Sequence, residues 1–204
     1  EDMEKFMGIV PSEDEQTYLG TSSIEHFKKR VVWLVSLAAV GLISGVIVHH
    51  YQHVLEQMII LALYMPMMTA TGGNTGSQAA TVVIRAIALD QVNEKEWVAI
   101  LWKEARISFM LSFCVGGLVF IKIAYLSSVS LLPSSMSFEF VGFILSLSIA
   151  MQVMTSAIVG AGLPLLVRRL GGDPAVAASP AITTTVDITG LLIYFTISSY
   201  ALGI

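Results

Sequence analysis

The chain is poor in the residues that soluble, enzymatic or disulfide-stapled proteins depend on. Cysteine is nearly missing: Cys114 stands alone, so no intrachain disulfide can form, and within its apolar run it reads as a small buried hydrophobe. Charge is scarce, at 13% of 204 residues, about half the share of an ordinary soluble domain. Too few ionic groups remain to cover a water-facing surface, and those present are clustered. Lysine and arginine never combine with aromatics into a phosphate-neutralising face, which argues against nucleic acid as a partner. No nucleophile–base pairing and no phosphate loop of the required spacing occurs, so the sequence points away from an enzyme. No secretory leader opens the chain, which begins Glu1-Asp2, and the expectation is a fragment lacking an upstream part.

What the chain has is apolar length: 55% of it is hydrophobic and its mean hydropathy is +0.77. Residues 1–30 are polar, interrupted by Pro11 and Gly20, and end in Lys28-Lys29-Arg30. They read as a cytoplasmic connector with a short interfacial helix from Ser23 to Arg30, capped by Thr21 or Ser22. Residues 31–204 form the membrane domain and carry five apolar segments: Val31–Val48, Met58–Leu89, about Ile107–Leu126, about Phe138–Val167 and Ala175–Ile204. None alternates strictly and all exceed a barrel strand, so helices are the spanning element. The expected fold class is an all-α integral membrane domain, multi-pass in the plasma membrane, with five transmembrane helices per chain.

Orientation follows from the basic residues. With the N-terminus cytoplasmic, Lys5, Lys28, Lys29, Arg30, Arg85, Lys95, Lys103, Arg106, Arg168 and Arg169 lie inside and Lys122 alone lies outside, which places the C-terminus extracytoplasmic. Small residues recur at four-residue spacing, Gly41 with Gly45 and Ser108 with Ser112 and Gly116. This spacing serves either intrachain helix packing or a subunit interface.

Chemistry is sought where polarity appears at membrane depth. In the second segment, Pro66 removes a helix donor and Gly72, Gly73 and Gly76 weaken what remains, so irregular backbone lining a cavity is expected there. Asn74, Gln78, Thr81 and Arg85 share one helical stripe. In the fifth segment, Asp187 falls near mid-membrane, where an ionised carboxylate costs about 2.5–3.5 kcal/mol. No lysine or arginine lies at that depth to pair with it. Ser179, Thr183 and Asp187 recur every four residues and make one face rich in oxygen, while Pro180 interrupts any helix running on from Asp173 and frees a carbonyl at Val176. Oxygen ligands without sulfur or imidazole favour Mg²⁺ or Ca²⁺ over Zn²⁺ or Cu²⁺. One aspartate per chain is sparse for a divalent ion, and a two-fold axis would supply a second, which predicts a homodimer with its pore on the axis. Other polar groups carry less. His49, His50, His53 and Glu56 lie at the outer boundary without a full ligand set. Glu104 sits between Lys103 and Arg106 and is expected in an interfacial salt bridge. Gln152, Thr155 and Ser156 either line a pathway or bond across helices.

The segment Pro66-x₅-Gly72-Gly-Asn-Thr-Gly-Ser-Gln78, followed by Ala79-Ala-Thr and Ile84-Arg85, resembles the second transmembrane helix of the MgtE family of magnesium channels. Gly172-Asp-Pro-Ala through Asp187-Ile-Thr-Gly190-Leu-Leu-Ile-Tyr194 resembles that family's fifth. The resemblance covers residues 20–204 and implies a homodimer with a central pore formed by the second and fifth helices of each subunit. It implies a cytoplasmic magnesium-sensing region, an N domain with paired CBS modules, whose end residues 1–30 resemble. By position, Asp187 matches the pore aspartate that holds hydrated Mg²⁺, the Thr183 carbonyl is its expected partner, and Asp173 matches an acidic residue at the cytoplasmic mouth. Thr71, Gly72, Gly73, Asn74, Gln78, Ser179 and Gly190 fall among the expected pore-lining positions; Ser179 stands where some relatives carry asparagine. The activity so implied is a channel passing hydrated Mg²⁺ into the cytoplasm down its electrochemical gradient, with Mn²⁺ or Ca²⁺ as competing ions. The alternative is a proton- or sodium-coupled divalent-cation transporter using Asp187 as the coupling carboxylate.

Overall fold

The computed structural model describes residues 19–126, 136–176 and 179–203. Among the described residues six α-helices run in chain order: α1 (Ser23–His50), α2 (Gln52–Gln57), α3 (Ile59–Ala88), α4 (Trp97–Leu126), α5 (Phe138–Arg169) and α6 (Ser179–Leu202). Short 3₁₀ turns at Glu94–Glu96 and Pro174–Val176 precede α4 and α6. Helices α1, α4, α5 and α6 are long and apolar enough to cross a membrane. Helix α3 matches them in length, but the polar residues in its middle keep it out of that set.

Local chemistry explains the boundaries. Ser22 caps α1, its hydroxyl accepting from the Glu25 amide, so the interfacial stretch and the first apolar segment form one continuous helix. Helix α4 begins ten residues before the apolar run, because Asn93 and Glu96 make a reciprocal capping box just ahead of it. Helix α5 ends on a Schellman turn: Gly171 takes φ +82°, its amide donates to the Arg168 carbonyl and that of Gly172 to the Val167 carbonyl. The bend hands the chain to Asp173, whose Oδ1 accepts from the Ala175 amide at 2.9 Å and holds the turn before α6.

Packing separates into two levels. At one end, a large apolar cluster joins Met58, Leu61, Val119, Leu145, Ile149, Tyr194 and Phe195. Tyr51 stacks on Phe195 at 4.9 Å, which fastens the α1–α2 corner to α6. At the other end, α3 and α5 meet through Ala79, Val83, Ala157 and Ala161. A methyl group on Gly160 there would strike the Gly76 backbone, so small residues set the separation of these two helices. Helix α1 lies apart, touching chiefly α6, and its Val32 and Leu42 are 70% and 72% exposed. Among the described residues nothing lies within 4 Å of a methyl group added at Gly41 or Gly45, so this pair serves no packing between them. Ser108 and Ser112 do the opposite and are buried. Cys114, expected to be buried, is exposed on α4.

Candidate cation site

Helix α6 begins at Ser179, which puts Pro180 in its first turn, where a missing amide costs no intrahelical bond. The carbonyl expected to be freed at Val176 therefore lies ahead of the helix. From there the threonines follow one rule. Thr183, Thr184, Thr185 and Thr189 donate their hydroxyl protons to the carbonyls of Ser179, Pro180, Ala181 and Thr185, at 2.7, 2.9, 2.9 and 3.0 Å. A hydroxyl whose proton is spent on the backbone presents only lone pairs to its surroundings. On the oxygen face read from the sequence, Thr183 and Asp187 thus offer acceptors, while the Ser179 hydroxyl is engaged with that of Ser77.

Asp187 sits half-buried on this helix. Its Oδ1 is fully enclosed and makes no hydrogen bond among the described residues. An enclosed carboxylate oxygen without a donor is costly, and the groups that relieve it are a proton, a water or a cation. Among the described residues no three His, Cys, Asp or Glu side chains come together to hold a metal ion. The outer histidines do not converge: His53 pairs with Gln57 at 2.7 Å and His50 packs edge-on to Tyr51. Asp173 stands outside α6 as the support of its entry turn.

Helix α3 presents three distinct sides, and it is a continuous helix through Pro66 and the glycines, where irregular backbone was expected. The glycines serve contact. Gly73 faces Thr183, whose Cγ2 would lie 2.9 Å from an added methyl group, and Ser77 Oγ meets Ser179 Oγ at 3.0 Å. Gly72 faces α5, where a methyl group would strike the Gln152 amide. The remaining side is polar and open. Asn74, Gln78, Thr81 and Arg85 are all exposed, and the Asn74 and Gln78 amides make no hydrogen bond among the described residues. Thr71, half-buried on this side, donates to the Met67 carbonyl at 2.7 Å.

Two side chains acquire roles that the sequence left open or misassigned. Gln152 of α5 is 0% exposed and lies between Gly72 of α3 and Gly190 of α6, each of which would clash with its amide if it bore a methyl group. Its Nε2 donates to the Val186 carbonyl at 3.0 Å, one residue before Asp187. Of the two roles considered for it, Gln152 takes the cross-helix bond. Glu104 does not form the expected salt bridge among the described residues. It is buried and lines a 180 Å³ cavity with Thr75, Gln78 and Ser108. Helical phase would have shown this, since Glu104 and Ser108 fall on the face that α4 turns inward.

A bundle of membrane-length helices, with a polar stripe on one helix and, on another, a carboxylate oxygen without a partner among the described residues, defines a multi-pass membrane protein. The sequence profile of MgtE, a family of divalent cation transporters, matches residues 65–197, and the chain belongs to that family. It is 34% identical over 198 residues to the magnesium transporter MgtE of Thermus thermophilus, covering 97% of this chain and 41% of the relative. The magnesium transporter MgtE of Bacillus subtilis is 34% identical over 171 residues, covering 84% of this chain and 36% of that protein. The corresponding Enterococcus faecalis protein is 28% identical over the same length. The chain therefore spans about two fifths of the curated relatives it matches, and it is a multi-pass protein of the plasma membrane.

Proposed function

We propose that this chain is the membrane part of a magnesium transport protein and passes hydrated Mg²⁺ into the cytoplasm along a path between two copies related by a two-fold axis. In this reading α3 is a fifth crossing: its 30 residues extend about 45 Å, enough to span, and it packs along α5 and α6. The N-terminus is then cytoplasmic and the C-terminus extracytoplasmic. Residues 1–30 connect to the cytoplasmic Mg²⁺-sensing region of a longer protein, and residues 31–204 form the pore domain.

The observation that carries the proposal is the enclosed Asp187 oxygen on the oxygen-rich face of α6, without a partner among the described residues. Asn74 and Gln78 support it, because lipid offers no partner to exposed amides at this depth. A water-filled path, or a second copy across it, does. Mg²⁺ parts with its water reluctantly. Two Asp187 carboxylates and the threonine oxygens suit the water shell of the ion better than direct replacement of that shell. The Thr183 carbonyl, Ser179 and Thr71 belong to the same path, with Asp173 at its cytoplasmic mouth. Gly72, Gly73 and Gly190 contribute by bringing the helices together. The driving term is about 2.3 kcal/mol per charge per 100 mV, doubled for a divalent ion.

The test is Mg²⁺ uptake into liposomes containing the purified chain under an imposed potential. Asp187→Ala abolishes uptake while the protein keeps its elution volume and helical content. Undiminished uptake in that variant removes Asp187 from the path. Uptake that stops when pH and sodium gradients are collapsed at fixed voltage replaces the channel reading with the coupled transporter.

A further inference from the structure

The seam between α4 and α5 carries a second feature, on the side of α4 turned away from α3. A cleft of 660 Å³ opens there, lined by Trp102, Lys103, Arg106, Phe109, Met110 and Met154. A second cleft of 380 Å³ shares Phe109 and Met154 with it and continues past Phe113, Gly117 and Phe143. Together they make one groove, basic at its lower end and apolar above. Lys103 and Arg106 are exposed, and neither makes an ion pair or a side-chain hydrogen bond among the described residues. Glu104, between them in sequence, points to the opposite side of α4, into the cavity with Gln78. Lys103 lies within electrostatic reach of Glu104, but no carboxylate lines the groove itself among the described residues.

Gly117 is an independent observation. Nothing lies within 4 Å of a methyl group added to it, and it is exposed at the groove. A glycine in mid-helix weakens the helix, and no contact inside the chain requires this one. Its missing side chain deepens the groove. The dimensions also agree. Lys103 to Gly117 is fourteen residues, about 21 Å along the helix, which is half of the roughly 40–45 Å that a bilayer spans with its headgroups and so the reach of one lipid in one leaflet.

We propose that the α4–α5 groove is a binding site for an anionic phospholipid, its headgroup phosphate held by Lys103 and Arg106 and one acyl chain lying along Phe109, Met154 and Phe113 over Gly117. Basic side chains beside a membrane helix attract anionic lipid at its headgroup level, and the long stems of Lys and Arg let their charges reach that level from within the apolar zone.

Native mass spectrometry of the detergent-purified protein, with equimolar phosphatidylglycerol and phosphatidylcholine, tests the proposal. The wild type retains phosphatidylglycerol in preference, by roughly tenfold or more. The double variant Lys103→Gln/Arg106→Gln loses the preference, and Lys103→Arg keeps it. Gly117→Leu, whose Cβ meets nothing within 4 Å, fills the groove and releases both lipids while the protein stays folded by circular dichroism. Equal retention of the two lipids by the wild type overturns the proposal, as does an undiminished preference in the double variant. Efficient disulfide formation between copies of Cys114→Ser/Gly117→Cys in lipid vesicles also overturns it, since the face would then be covered by a second chain. None of these readouts depends on Asp187 or on magnesium flux.

Discussion

Gly190→Ala should destabilise the bundle, and Gln152→Ala should relieve part of the damage. The methyl group of Gly190→Ala enters the space of the Gln152 amide. That amide cannot retreat, because the residue is 0% exposed and its far side is closed by Gly72. The methyl must therefore push α6 away from α5 or expel the side chain. Overpacking of this kind costs about 1–3 kcal/mol. The bond from Gln152 Nε2 to the Val186 carbonyl, 3.0 Å long, is lost with it, at about 0.6 kcal/mol for a typical interhelical bond in a membrane. Against this stands a gain of about 0.8–1.0 kcal/mol from replacing glycine by alanine within a helix. The net expectation is a loss of about 1–3 kcal/mol. Removing the glutamine side chain takes away the clash, so the double variant should be more stable than the sum of the single effects by about 1–3 kcal/mol. Unfolding in mixed micelles with increasing SDS, followed by circular dichroism for the four proteins of the cycle, measures this. A neutral or stabilised Gly190→Ala, or two effects that add within about 0.5 kcal/mol, would refute the argument that Gln152 is wedged between two glycines.

Other substitutions probe separate parts of the reasoning. Gly160→Ala sets a methyl against the Gly76 backbone, where no side chain can yield, and should lower stability by about 1–3 kcal/mol in the same assay. Gly45→Ala is its control: with nothing within 4 Å it should be neutral or stabilising by up to about 1 kcal/mol in the monomer, and a clear loss would indicate that a second chain covers α1. Ser22→Ala removes the hydroxyl that caps α1 and should cost about 1 kcal/mol, read as faster exchange of the Glu25 amide. Asn74→Leu places an apolar side chain on the exposed polar stripe of α3; Mg²⁺ uptake into liposomes should fall severalfold with stability unchanged, and unaltered uptake would take that stripe out of the ion path.

Some of this protein was decided along the chain itself. Apolar runs longer than a bilayer is thick, with charge confined between them, allow only helices, and the boundaries follow from short-range chemistry at Ser22, Asn93, Ser137 and Gly171. Asp187 stands out in such a run by the cost of its carboxylate alone. The polar stripe of Asn74, Gln78, Thr81 and Arg85 came from helical phase and is exposed as a unit. Tertiary structure decided which neighbour each side chain meets. Spacing cannot say whether a glycine opens a cavity or admits another helix, and only the approach of α5 and α6 gives Gly72, Gly73, Gly76 and Gly190 their contacts. The same holds for two apparently similar small-residue repeats, buried at Ser108 and Ser112 but without a neighbour at Gly41 and Gly45. Gln152 and Glu104 were ambiguous for one reason: a polar residue on a helix has a phase but no partner until the bundle closes around it.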